Sequence, residues 1–494
     1  MIRTGNGGVV RVADGDPSRQ LLDAVEALDG TAAVVGPTGV PAVEPLLAVT
    51  RGGRTAFHAG CTPERVAAVG ERRADGFDAV ADAADAVVDH DADAARLPTP
   101  DLSGLGVGAR TVLGACGWRR PTEPADHEAA GGFVERDPAA VLEVGADLGG
   151  RGWGDWCQDE PAAPTWEAVR EADDDGAVVV NAHGAAADAL LLAGAPFEVL
   201  EGAAAVARAV GADRVVVYAS SEDERAVETV REAAERYPDA PAPFEVVAGP
   251  AEYRAAEPTM ALEALEGNHR LEARLRPPGP EAVGLHGRPT VVHTARTFAH
   301  LAVALREGRV PDTRVVTVTG DVATPATVEL PGTEPVGTAL DAVEVDGAFK
   351  AACVGGRFGG VTRDLDVAVD PVSLTAAGLG TEGVVHLLGP DRCVVEFVGS
   401  RTRYAAEENC GRCVPCREGT TQLAGLLRDV YDGGYDPEGI EELVRVMETS
   451  SICAFGVEAG RPARTALAEF ESEFEAHADG RCPAGACLDP LEAS

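Results

Sequence analysis

Three thiols two residues apart, Cys410, Cys413 and Cys416, stand in ENCGRCVPCREGT, and Cys453 follows in SSICAFG. Two-residue spacers let three sulfurs of one tight turn face the same corner. A fourth ligand must then return from elsewhere, and the helical periodicity between Cys416 and Cys453 predicts one helical hairpin to bring it back. Four converging thiolates are what a cubane iron–sulfur cluster needs. A zinc site would more often show two CxxC pairs. A CxxC redox motif would sit in a thioredoxin-like βαβ context rather than at the head of a helical bundle. The spacing therefore points to one [4Fe–4S] cluster, with Arg417 and nearby amides placed to offset its negative charge.

The other seven of the eleven cysteines are scattered from Cys61 to Cys487, and the odd total argues against a disulfide framework. At 494 residues the chain exceeds one hydrophobic core, so about three or four domains are expected. The net charge is −39, and Lys350 is the only lysine. So acidic a surface fits a halophilic protein kept soluble in high salt, and it excludes a nucleic-acid partner, which needs a basic footprint. No uninterrupted apolar stretch of about 18 residues is present, so no membrane span is expected. The start, MIRTGNGGVVRVADGD, lacks the apolar region of a secretory signal. These readings predict a cytoplasmic protein, which partner subunits would hold at any membrane it meets.

The expected class is multidomain α/β. Residues 1–90 alternate strand and helix, with Thr62 placed to cap the helix of TPERVAAVGERRADGF. Residues 91–125, rich in Asp, Pro and Gly, read as a linker. Residues 126–310 carry Val-rich strands with intervening helices, the pattern of a covered, largely parallel sheet, and Ser221 is the expected start of one helix. Residues 311–380 break into short β-rich pieces. Residues 394–480 have i, i+3, i+4 apolar spacing and predict a helical bundle, and 481–494 form a Cys-containing tail.

The cluster motif, together with LEALEGNHRLEARLRPPGPEAVGLHGRPTVVHTARTFAHLAVAL upstream, resembles the NADH-ubiquinone oxidoreductase-F family, the flavin/iron–sulfur subunit of respiratory complex I. It is also similar to the flavin subunits of NAD-linked hydrogenases and formate dehydrogenases. The resemblance implies a thioredoxin-like domain over 1–90, here without cluster cysteines, and a Rossmann-like FMN/NADH domain over 126–310. It further implies a β-grasp-like domain over 311–380, an iron–sulfur helical bundle, and other subunits of a redox complex as partners. By the same resemblance NADH hands a hydride to FMN, and FMN feeds single electrons to the cluster. Cys410, Cys413, Cys416 and Cys453 carry over as cluster ligands, and Gly150, Arg151, Gly152, Asn181, Tyr253, Glu257, Thr259 and Thr297 as residues facing FMN or NADH.

The flavin motifs depart from that pattern. Thr165 stands where the family has a lysine, His183 and Gly184 replace two acids, Pro258 replaces another, and His293–Thr294 replace an Asn–Asn pair. The resemblance therefore leaves two readings open: an enzyme subunit in which FMN feeds the cluster, and a non-catalytic [4Fe–4S] relay or structural subunit that has lost FMN and NADH. A cluster-bearing redox sensor is a third. In the tail, His477, Cys482 and Cys487 recur at five-residue intervals and could hold zinc, with Cys393 as a candidate fourth ligand. Cys116, Cys157 and Cys353 have no partner at ligand spacing and read as small buried residues.

Overall fold

The computed structural model describes residues 8–28 and 32–487. The first sheet is built from β1 (Val9–Ala13), β2 (Ala32–Val35), β3 (Leu46–Arg51), β4 (Arg54–His58) and β5 (Ala86–Asp89), in the order β2-β1-β3-β4-β5. β1 runs parallel to β2, and the remaining pairs are antiparallel. Alternation along β1 and β3 gives the sheet two apolar faces. Val10, Val12, Leu47 and Val49 meet helices Arg19–Glu26 and Pro63–Arg72 on one side. Ala13, Val35, Leu46 and Ala48 share a second core with Val316, Val318 and Val328. Thr62 caps its helix as expected, its hydroxyl accepting from Arg65 N.

Residues 91–125 do not form a free linker. They carry little regular structure, yet Leu97, Leu105, Leu113 and Trp118 are buried. The buried Glu329 carboxylate accepts from the amides of Val112 and Leu113, which fastens the segment to a neighbouring strand. Turn-rich composition marked the irregular backbone correctly but carried no sign of this long-range anchor.

The second sheet joins β6 (Ala177–Asn181), β7 (Arg214–Ser220), β8 (Phe244–Gly249) and β9 (Thr290–Thr294) in the order β8-β7-β6-β9, all parallel. β6 and β9 are buried at every residue, which is why they read as continuous apolar runs. The helix after β7 begins at Glu224 with Asp223 as N-cap, not at Ser221, because a turn over 221–223 intervenes. Helices Ala186–Gly194 and Pro196–Val210 are bent by 98° where Pro196 ends the first run, and both pack in the core. Among the described residues no single helix is long and apolar enough to cross a membrane.

β10 (Thr313–Gly320), β11 (Ala326–Pro331), β12 (Ala351–Val354), β13 (Gly360–Thr362) and β14 (Val384–Leu388) form a third, mixed sheet in the order β11-β10-β14-β12-β13. β14 is central to this sheet and lies beyond residue 380, so the β-rich unit extends to Leu388 rather than ending there. The chain closes with helices Val394–Glu408, Val414–Asp429, Pro437–Ser450, Ala454–Glu458 and Arg461–Ala478. Leu423, Leu427, Ile440, Val444, Phe470 and Phe474 fill the bundle core.

Candidate functional site

The cysteine triplet occupies the turn between two bundle helices. Asn409 ends the first helix, its side-chain amide donating to the carbonyls of Ala405 and Ala406. Gly411 then takes φ +76°, a backbone state that a side chain would strain. Cys413 is the N-cap of helix Val414–Asp429, and Cys416 lies in its first turn. Cys453 is likewise the N-cap of Ala454–Glu458. Two helix starts therefore set free amides and positive dipole ends beside the thiols, an aid to ionisation that the bond to Cys413 and burial oppose at Cys416 and that burial opposes at Cys453. Gly456 permits the approach, because a Cβ there would lie 2.8 Å from the Cys416 Cβ. Cys413 accepts from the Cys416 thiol, which pulls its pKa down to about 5. Cys416 in turn feels Cys453, Cys413 and Cys410.

These four sulfurs do not gather within 4.8 Å of one another, as the ligands of a single ion would. Arg417 has partners of its own in this turn. It donates to Gly411 O at 2.7 Å and pairs with Glu418, so it braces the loop.

A second group is tighter. One ligand atom each from Cys393, His477, Cys482 and Cys487 lies within 4.8 Å of the others, the spacing of a single four-coordinate ion. Cys393 is the N-cap of helix Val394–Glu408, and His477 lies at the end of the last helix. His477 Nε2 stands 3.2 Å from Cys393 Sγ and 3.1 Å from Cys487 Sγ. Its Nδ1 is 2.6 Å from Glu473 O, so Nδ1 carries the proton and Nε2 keeps its lone pair. Burial opposes ionisation of Cys482, but hydrogen bonds from the backbone and thiol of Cys487 outweigh it and bring the thiol down to about 6. Lys350 pairs with Glu473 at 3.0 Å and donates to Arg392 O, holding the histidine's helix against the preceding loop.

The glycine-rich segment lies across the C-terminal ends of β6 and β9. Gly150, Arg151 and Gly152 meet the start of helix Ala295–Glu307: Arg151 N donates to Thr297 Oγ1 at 2.9 Å, and Thr294 Oγ1 donates to Arg151 O. Asn181 spends its amide on Gly154 O and Ala256 O, at 2.8 and 2.7 Å. Tyr253 stacks on Trp153, with ring centres 4.5 Å apart. Glu257 caps helix Pro258–Leu265 through the amides of Thr259 and Met260 and pairs with Arg276. His183 hydrogen-bonds Pro250 O at 2.6 Å and stacks on Tyr218, and burial lowers its pKa. The eight residues expected to face a cofactor are thus drawn into one region, with Thr165 at its rim bonded to Cys157. Cys116 and Cys353 are fully buried, whereas Cys157 lies at this rim and is only half-buried.

Three residues of this region went unread in the sequence: Asp155, Asp188 and Arg296. Asp188 interrupts the apolar run ADALLLAG, and a lone acid on such a face is the signal that could have found it. The Asp155, Cys157 and His293 side chains come within single-ion distance, but both histidine nitrogens are committed. Trp166 Nε1 donates to His293 Nε2 at 2.8 Å, so the ring donates from Nδ1 to Asp155 at 2.9 Å.

A three-sheet α/β body ending in a bundle with this thiol geometry defines an iron–sulfur electron-transfer subunit of the flavin-linked class. The profile of the NADH-ubiquinone oxidoreductase-F iron-sulfur binding region matches residues 396–477, and that of the Nuo51 FMN-binding domain matches 151–303. The second F-type subunit of NADH-quinone oxidoreductase from Rhizobium meliloti (strain 1021) is 30% identical over 60% of this chain and 78% of its own length. NADP-reducing hydrogenase subunit HndC of Solidesulfovibrio fructosivorans is 28% identical over 61% of this chain and 68% of its own. An air-oxidized NAD+-reducing [NiFe]-hydrogenase superposes with a TM-score of 0.63 at 25% identity, over 98% of this chain and 89% of the hydrogenase chain. The protein belongs to the NADH-ubiquinone oxidoreductase-F family, the flavin and iron–sulfur subunits of NADH-linked oxidoreductases in which electrons pass from FMN to an iron–sulfur cluster.

The two cofactors of that family fare differently against these residues. The thiols fit a [4Fe–4S] cluster in number, in sequence spacing and in the placement of Cys413 and Cys453 at helix starts. The flavin region fits FMN poorly, because Asn181, Glu257 and the start of helix Ala295–Glu307 are engaged within the chain, although Arg151 Nε and Trp153 Nε1 are not. A cavity of about 400 Å³ remains beside the cluster segment, but Asp155, Glu160 and Glu257 face it against Arg276 alone. That lining repels a phosphate dianion, whereas a larger cavity of about 1050 Å³ along Gly149 and Arg151 also carries Arg309 and Arg314.

Proposed function

We propose that the chain is the iron–sulfur electron-transfer subunit of an NADH:acceptor oxidoreductase-type complex, carrying one [4Fe–4S] cluster on Cys410, Cys413, Cys416 and Cys453. The observation that carries this reading is that two helix starts, at Cys413 and Cys453, lie beside four thiols that share one core and interact with one another. The cluster supplies one-electron redox chemistry when bound. The chain's own residues present thiolates, direct backbone amides at them and pack Phe455 and Met447 in the same core. We assign the tail group Cys393, His477, Cys482 and Cys487 to a structural zinc. Its four-ligand N/S set leaves no open position for catalysis.

The domain assignments belong to the same proposal. The β2-β1-β3-β4 order of the first sheet supports a thioredoxin-like unit for docking rather than redox work, since Cys61 is its only cysteine. The mixed third sheet supports a β-grasp-like unit, and partner subunits supply the donor and acceptor. Anaerobic purification in high salt tests the function. About four irons and four sulfides per chain, with a reducible visible band, are expected, and iron-free protein that is otherwise folded would overturn it.

A further inference from the structure

We infer that this chain has closed its flavin seat with its own side chains and works as a one-electron relay without FMN. The inference rests on the electron-carrier reading above and narrows it. Its central observation is the start of helix Ala295–Glu307, where a phosphate would find free amides and a positive dipole end. Those amides are taken. Arg296 N donates to Asp188 Oδ1 at 2.9 Å, Thr294 N to Asp155 Oδ2 at 3.3 Å, and Thr297 N to the Thr294 hydroxyl at 3.3 Å. Two buried carboxylates of the protein thus hold the place of an incoming anion, and a phosphate dianion would have to displace both.

The glycine loop is filled as well. Gly152 has φ +90°, and a Cβ added there would overlap the Arg296 guanidinium. That guanidinium is 4% exposed, grips Asp188 through Nε and Nη2, and donates to Glu382 O. The close backbone approach that glycine permits is therefore used by an arginine of this chain. Asp155 is saturated too, accepting from His293, from the Thr297 hydroxyl at 2.7 Å and from Cys157 N at 2.9 Å. The Asn181 amide is likewise spent on backbone, and Tyr253 is stacked on Trp153.

The consequence for chemistry is definite. NADH delivers two electrons and a proton together as hydride, whereas a lone cubane accepts one electron and forms no bond. Hydride oxidation then cannot begin in this chain. Cys410, Cys413, Cys416 and Cys453 would hold a group that exchanges single electrons, so this chain would need a one-electron donor, such as a second reduced iron–sulfur protein, and a one-electron acceptor.

The test uses the full chain, purified without oxygen in high salt, reconstituted with iron and sulfide, and shown to be folded by cooperative melting. Flavin released by acid is measured on the same sample as iron, and free FMN is then titrated by fluorescence quenching and equilibrium dialysis. Cluster-level iron, no released flavin and no saturable quenching are expected. One flavin per chain, or saturable quenching abolished by excess unlabelled FMN, would overturn the inference while leaving the cluster intact. Folded protein with neither iron nor flavin would support the closed seat and remove the electron-carrier reading, so the two failures are distinguishable.

Discussion

The bundle and the parallel-sheet domain have handled the same inheritance in opposite ways. In the bundle, Cys413 and Cys453 remain at helix starts and the four thiols still face one another, as the proposed cluster would require. In the parallel-sheet domain, the loop, the strand ends and the helix start keep their backbone path, yet Asp155, Asp188, Asn181 and Arg296 have found partners within the chain. A binding site is recognised less by its backbone than by what it leaves unpaired. Retained scaffold with satisfied side chains is the signature of a site turned into core.

Cutting one side of this contrast produces the largest expected effect. Cys416→Ser removes a ligand that nothing nearby replaces, and iron is expected to fall from about four per chain to near background, with loss of the visible band. Cys393→Ala should remove about one zinc per chain and leave iron unchanged, as read by elemental analysis of the same sample. Equal loss of both metals would show that the two thiol groups are one site.

Asp188→Asn strips the charge partner from a buried guanidinium, a change that costs about 3–5 kcal/mol in comparable sites. Denaturant unfolding should show that loss without restoring flavin binding. Glu382 lies half-buried beside Tyr253, and loss of solvation raises its pKa to about 7 from an ordinary value of 4.5. The folded state therefore holds a proton that the unfolded chain releases, so this group's contribution to stability falls as pH rises between those two values. Melting temperatures across that range should decline less for Glu382→Gln than for the unaltered protein. Thr294→Ala, which removes a helix cap and a bond to Arg151 O, is expected to cost about 1 kcal/mol in the same assay.

What the sequence disclosed follows the same divide. The cysteines proposed as cluster ligands could be picked out because three of them are local and the fourth follows one helical hairpin. The tail group was nearly as open, since His477, Cys482 and Cys487 are evenly spaced and Cys393 was the one outlying thiol to suit them. The parallel sheet was legible from the Val-rich strands of β6, β7 and β9. The closed seat was not, because Asp188 and Arg296 are 108 residues apart and Asp155 and His293 are 138 apart. Substituted motif residues showed that something had changed; only the fold shows which carboxylates moved in. The Ser221 helix start misled for a local reason, because a serine before acids satisfies the capping pattern whether or not a turn comes first.

Lys350 has a practical consequence. A chain with a single lysine gives amine-directed reagents one side-chain target, and here that ammonium is clasped by Glu473, whose carbonyl in turn orients His477. Acylation at this one position would pry on the clasp from behind. A mass shift at that residue, followed over time, would therefore serve as a built-in gauge of how firmly the end of the last helix is held.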